Sequence, residues 1–304
     1  MQLRIGMFLP RPTLDASPAV RVEVLRAMAD AGIDHVGASD HVSFHTGWGI
    51  DGIVQATALA TAEPRLAVAL GVYLLPLRHP VAVARQLSTF SQLTGSTLEF
   101  GVGVGGEDPH ELEICGVDPR TRGRRMDECI RIIRALMTGD AVSFDGEFFQ
   151  LDDARITPAP TGITLVSGGR ADAALRRAGR LTDGWIAAWV TPSRFTERRA
   201  VIERAAIDAS RDQDLLRYGF QPWVGFGVDA AAAQAAVAAP VEAMYRLPFA
   251  KFERYSPHGT PQQVADALRP YVEAGCSSFN ISAQADNWRR CVDGVAAVRE
   301  LLLA

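Results

Sequence analysis

Ser39-Asp40-His41 sets a carboxylate beside an imidazole directly after a short apolar run, Asp34–Ala38. Taking a hydride from an alcohol carbon also requires removing the hydroxyl proton, and a histidine that titrates near neutrality can accept it. His41 is therefore the candidate base, and Asp40 a group that hydrogen-bonds a cofactor or orients a neighbour. Two glycine loops are candidates to hold that cofactor. The run from Leu98 leads through Gly101, Gly103, Gly105 and Gly106 to a carboxylate, Glu107. Val166-Ser167-Gly168-Gly169-Arg170 repeats the arrangement with a hydroxyl and a guanidinium. Glycine lets the backbone come close to a ligand with its N–H groups converging, which suits a phosphate, and an arginine at a helix start adds charge.

Gly101, Gly103 and Gly106 satisfy G-x-G-x-x-G, but a dinucleotide fold needs a helix, a second strand and an acid about 20 residues on. Here a long basic helix follows, and Asp127 falls inside it. The carboxyl end of a barrel strand is the better setting. Other chemistries lack their residues. Cys115, Cys129, Cys276 and Cys291 form no C-x-x-C pair, which argues against zinc or a disulfide framework and suits a reducing cytosol. Glu107-Asp108-x-His110-Glu111 has no further ligands at convincing spacing, so no metal is expected. Without G-x-S-x-G or a Cys/His pair there is no signalled nucleophile, which leaves chemistry carried by a bound cofactor. His45 and Trp48 offer a substrate wall, and His79 an organiser of the helix after Pro80.

Apolar runs alternate with helical periods along all 304 residues. The strand-like runs are Leu3–Leu9, His35–Ser39, Leu66–Leu74, Thr97–Val104, Ile163–Ser167, Gly184–Trp189, Tyr218–Val228 and Ser277–Ser282. Helical segments between them open on signals such as Ser17-Pro18 and Thr260-Pro261 and stop at Gly32 and Gly275. Eight strands alternating with helices predict a single-domain (β/α)8 barrel, an α/β TIM barrel whose active site lies at the carboxyl ends of its strands. Two insertions break the rhythm: 141–160, a hairpin turning at Asp145-Gly146, and 230–258, a long segment suited to a lid. The alanine run 230–239 is expected to stop at Pro240 and is no membrane span. A formal charge of −4 argues against a nucleic-acid partner, and Leu3–Leu9 is too short for a signal sequence, so a cytoplasmic location is expected.

Together these residues resemble the bacterial luciferase-like flavin and deazaflavin oxidoreductases. The motifs are Ala38-Ser39-Asp40-His41, Leu74-Leu75-Pro76-Leu77-Arg78-His79-Pro80, Gly101-Val102-Gly103-Val104-Gly105, Arg122-Gly123 with Asp127-Glu128, Phe144-x-Gly146-x-Phe148-Phe149, Ser167-Gly168-Gly169 and Asp183-Gly184-Trp185. The resemblance implies a barrel with a flavin-type ring in its mouth and the cofactor phosphate at the loops after strands four and five. Those loops supply Gly103, Gly105, Gly106, Ser167, Gly168, Gly169 and Arg170. It also implies a non-prolyl cis peptide at Gly71-Val72, with Tyr73 beside it, backing the ring.

Family members use FMN with oxygen or coenzyme F420 for hydride transfer, and the Gly106-Glu107 ending resembles the F420 branch. A strand-four glutamate is the proposed acid of that branch. The glycine register aligns it with Gly106, and Glu107 carries the carboxylate one place later. The expected activity is hydride transfer between F420 and a small organic substrate, with His41 as base and Glu107 as candidate acid. The alternatives are an FMN monooxygenase fed by a partner reductase and a non-catalytic flavin-binding relative. Many members are homodimers.

Overall fold

The computed structural model describes residues 2–45 and 47–304. Eight parallel strands close a barrel: β1 (Arg4–Phe8), β2 (His35–Ala38), β3 (Ala67–Leu74), β4 (Leu98–Gly103), β5 (Ile163–Gly168), β6 (Gly184–Ala187), β7 (Arg217–Phe220) and β8 (Ser278–Gln284). The closure pairs β8 with β1, from Arg4↔Ser278 to Met7↔Ile281. Both faces of these strands are covered, which is why they read as apolar runs rather than alternating ones. Ile5, Met7, Val36, Leu70, Phe100, Phe279 and Ile281 are all fully buried.

The helices around the barrel are α1 (Pro18–Asp30), α2 (Gly52–Ala62), α3 (Pro80–Thr94), α4 (Pro109–Ile114), α5 (Arg122–Leu136), α6 (Asp172–Leu181), α7 (Pro192–Asp208), α8 (Ala230–Tyr245), α9 (Pro261–Glu273) and α10 (Trp288–Leu303). Short side chains start several of them by satisfying backbone N–H groups that lack an intrahelical partner. Asp51 accepts from Ile53 and Val54 at the start of α2, and Thr260 and Gln263 form a reciprocal capping box on α9. The exits of α1 and α9 turn at Gly32 (φ 74°) and Gly275 (φ 93°).

Two stretches depart from the sequence expectation. Tyr218–Val228 is not one strand: β7 ends at Phe220, and a second strand, Trp223–Phe226, begins after Gln221-Pro222. Pro222 has no N–H to give a ladder, so the strand is interrupted there, although its C=O still accepts from Ser282 N at 2.9 Å and the chain stays beside β8. The second strand pairs with the far end of β8, Trp223↔Ser282 to Gly225↔Gln284, and with His258–Gly259 on its other edge. Nor does Pro240 stop a helix, since α8 runs through it to Tyr245. The bond lost at proline is offset by Val237 and Val241, fully buried on that face of α8.

Residues 141–160 hold the hairpin Val142–Asp145 and Gln150–Ala154. Glu128 on α5 ties down its turn by accepting the N–H groups of Glu147, Phe148 and Phe149 at 2.7, 3.0 and 3.2 Å. A Cβ at Gly146 would lie 2.5 Å from Glu128 Oε2, so the turn requires glycine there. Among the described residues, no helix is long and apolar enough to cross a membrane.

Candidate active site

The candidate cradle lies where β3, β4 and β5 end. The peptide between Gly71 and Val72 is cis, at the point where the β3–β4 register breaks between Leu70 and Tyr73. Val72 reaches across to its neighbours. A Cβ at Gly103 would lie 2.5 Å from Val72 Cγ2, and one at Gly168 would lie 3.1 Å from Cγ1. Glycine at both positions makes room for the Val72 methyl groups, which form the floor there. Beyond β4 the chain turns through Gly105 (φ 69°) and Gly106 (φ 140°), and beyond β5 through Gly169 (φ 123°). Side chains at those φ values are strained, so the loops expose bare backbone. Trp185 Nε1 donates to Gly169 O at 2.8 Å and fixes the second loop. Arg170 stands exposed on it. Arg122 Nη2 lies 3.5 Å from where a Cβ on Gly106 would sit, which adds a cation that the glycine pattern alone did not indicate.

Two other candidates point elsewhere. The Ser167 hydroxyl is buried, 3.4 Å from Thr182 Oγ1, so this residue offers the cradle no side-chain donor. Tyr73 is fully buried in the core beneath the Arg78 guanidinium, 4.3 Å from its ring centroid. Behind the floor, Gln221 Nε2 donates to Gly71 O at 3.2 Å. Asn280 is 5% exposed, and neither of its amide atoms has a partner among the described residues.

Asp40 and His41 leave β2 in opposite directions, as adjacent extended residues do. The Asp40 carboxylate turns inward and accepts from Gly52 N (2.9 Å), Leu74 N (2.8 Å) and Arg78 Nη1 and Nη2 (2.6 and 2.8 Å). Its acceptor capacity is used by the protein, so it locks the start of α2, the end of β3 and Arg78 together. Burial pushes its carboxyl above the usual range, against the pull of Arg78 and the two N–H groups.

His41 lies on a short hairpin, His41–Phe44 with Trp48–Ile50, its ring 4.2 Å from Phe44 and 5.8 Å from Trp48 between centroids. Nδ1 meets Glu111 Oε2 at 3.0 Å and Oε1 at 3.3 Å. Glu111 also accepts from Val42 N at 2.6 Å and Ser43 N at 3.0 Å. Burial raises the Glu111 carboxyl, but the His41 bond and the two N–H groups outweigh it and hold the group below its ordinary range. A carboxylate can only accept, so Nδ1 donates in this bond, and in the tautomer it favours the lone pair of the ring lies at Nε2. Asp108 secures the same hairpin by accepting from His45 N at 2.7 Å. Glu111 and Asp108 are the partners that sequence reasoning passed over. Their signal was an acid cluster that matched no metal pattern, and among the described residues no group of His, Cys, Asp and Glu is placed to hold a metal. Glu107 is exposed on the loop, without a hydrogen-bond partner among the described residues.

His79 precedes Pro80 at the start of α3 without capping it; its ring meets Phe149 edge-on at 5.2 Å. His35 is buried, and neither ring nitrogen has a partner among the described residues.

A closed parallel barrel with glycine loops and a carboxylate-held histidine at one end makes this a (β/α)8 protein with a candidate site at its mouth. The profile of the luciferase-like monooxygenase family matches residues 4–256, and the chain belongs to that family. A Mycobacterium bovis protein of unassigned activity is 39% identical over 163 residues, which cover 53% of this chain and 56% of the relative. The chain thus spans a little over half the length of that relative. An F420-dependent glucose-6-phosphate dehydrogenase of Nakamurella multipartita is 28% identical over 70% of this chain and 65% of its own. A 4-hydroxyprotoasukamycin monooxygenase of Streptomyces nodosus is 30% identical over 59% of this chain and 51% of its own. In solved structures the fold matches an F420-dependent secondary alcohol dehydrogenase in complex with an F420-acetone adduct. That likeness has TM-score 0.86 and 18% identity and covers 99% of both chains.

Proposed function

We propose that the protein is an oxidoreductase that moves a hydride between coenzyme F420 and a small organic substrate. The observation that carries this reading is the His41–Glu111 pair at the rim of the glycine-floored cradle. The residues fit a flat ring with a phosphate-bearing tail. Val72, seated against Gly103 and Gly168, offers the ring an apolar surface, while the loop N–H groups of Gly105, Gly106 and Gly169, with Arg122 and Arg170, suit an anionic tail. When bound, a deazaflavin supplies a ring carbon that exchanges a hydride with the substrate. His41 Nε2 takes the substrate hydroxyl proton, and Glu111 fixes the ring that receives it. Asp40 acts at one remove, holding Arg78 and the end of β3 in place, and Glu107 remains the candidate acid.

The F420-dependent relative and fold neighbour support this choice of cofactor. The monooxygenase relative, and an FMN-bound Baeyer–Villiger monooxygenase of Pseudomonas putida at TM-score 0.75, favour the second reading, an FMN monooxygenase supplied by a reductase. Titrating the purified protein with F420 and with FMN separates the two. F420 is expected to bind at least tenfold tighter, whereas tighter FMN binding with oxygen uptake from reduced FMN and substrate would establish the second reading.

A further inference from the structure

An aromatic cluster stands at the same end of the barrel as His41, on the side of β6 and β7. Trp189 follows β6 by two residues, and Trp223 opens the strand after β7. Tyr245 ends α8, and Phe252 lies between the two one-turn helices that follow it. Trp189 meets Tyr245 at 5.2 Å and Phe252 at 4.8 Å between ring centroids. The cluster packs around the buried Val237, Val241 and Phe249, apart from the barrel core. It stands at the end of the barrel where the glycine loops lie, since Trp189 follows the carboxyl end of β6, which pairs with β5 at Trp185↔Ser167 and Ile186↔Gly168.

Trp189 holds φ 55°, a conformation that a bulky side chain rarely adopts. Such strain persists where surrounding contacts over-determine it and gathers at ligand sites. Indole Nε1 donates to Tyr245 Oη at 3.3 Å. Because an indole is a donor only, the tyrosine oxygen accepts and keeps its own proton free to donate. The nearby cations do not form an anion pocket: Arg246, Lys251 and Arg254 are all exposed, and Arg254 lies over the Tyr255 ring at 4.6 Å. The three rings of the wall carry no cation, and phosphate recognition draws on guanidinium or ammonium groups.

We infer that the Trp189–Tyr245–Phe252 wall selects an uncharged, ring-bearing ketone or secondary alcohol, with Tyr245 donating to a polar atom away from the reacting carbon, and that it disfavours a sugar phosphate. This rests on the hydride-transfer reading and names its substrate class.

The test is calorimetric titration of the cofactor-loaded protein with acetophenone and, separately, with glucose 6-phosphate. Acetophenone is expected to bind at least tenfold tighter. Trp189→Gly removes the ring at a position whose φ suits glycine; with an unchanged circular dichroism spectrum as the check on folding, it is expected to weaken acetophenone binding about tenfold while cofactor affinity stays within twofold. Tyr245→Phe is expected to weaken 4-acetylpyridine, which carries a distal acceptor, more than acetophenone. Equal or tighter binding of glucose 6-phosphate, or unchanged acetophenone binding in Trp189→Gly, would overturn the inference. The cofactor titrations fail separately: if F420 does not bind, the ketone titrations are run on FMN-loaded protein and the same results decide.

Discussion

Nδ1 of His41 lies 3.0 Å from Oε2 of Glu111, seventy residues along the chain. The same carboxylate accepts two backbone N–H groups from the hairpin that carries the histidine, so the ring and its hairpin are held by one residue. In hydrolytic triads a buried carboxylate fixes the tautomer and orientation of a catalytic histidine in the same way.

Glu111→Gln keeps the size of the side chain but presents an amide to Nδ1, removing the constraint on the tautomer. Steady-state rates are expected to fall about a hundredfold, the scale of general-base catalysis. Cofactor affinity should hold within about twofold, because no cradle residue changes. A variant with wild-type rates would show that Glu111 only supports the hairpin.

Gly103→Ala puts a methyl group 2.5 Å from Val72 Cγ2, so the floor must move. Affinity for the cofactor is expected to drop about tenfold by equilibrium titration. Val72→Ala in the same chain removes the colliding methyl and should recover most of the loss. If the double variant binds no better than Gly103→Ala alone, the contact with Val72 is not the reason for glycine at this position.

Arg78→Met leaves the Asp40 carboxylate buried without its ion partner, a situation that typically costs about 3–5 kcal/mol. Urea denaturation should show a loss of that order. Pairing it with Asp40→Asn removes the stranded charge and is expected to recover at least half of the lost stability.

His35 titrates only at about pH 3 in the fold, because burial disfavours the imidazolium and Arg4 adds to the effect while Asp34 opposes it. The unfolded chain takes up that proton near pH 6.5, the ordinary histidine value. Between those values the unfolded state binds more protons, so this contribution to stability is complete above about pH 6.5 and declines as pH falls toward 3. Melting temperature should fall over that window, and less steeply in His35→Gln. Parallel slopes would mean that carboxylates alone set the acid limb.

Much of the barrel was legible in the chain because strands buried on both faces must be apolar along their length, and Met7, Val36, Leu70 and Phe279 record that requirement one by one. Pro222 and Pro240 were legible as breaks but not in their outcome. One ends a strand because a ladder needs its N–H, and the other sits inside a helix because tertiary packing compensates for the missing bond.

The glycines at 103, 105, 106, 168 and 169 and the juxtaposed Asp40-His41 are local facts, set by which φ values and which proton acceptors each residue type allows, and the sequence by itself determined them. It did not determine which of the two strand-end side chains turns inward, that the Ser167 hydroxyl faces Thr182, or that Glu111 and not Asp40 holds the histidine. Those depend on contacts between segments 15 to 70 residues apart, where pairing follows from how strands and helices close around the barrel. Only the tertiary structure decides them, because no local preference records the direction from which a distant partner arrives.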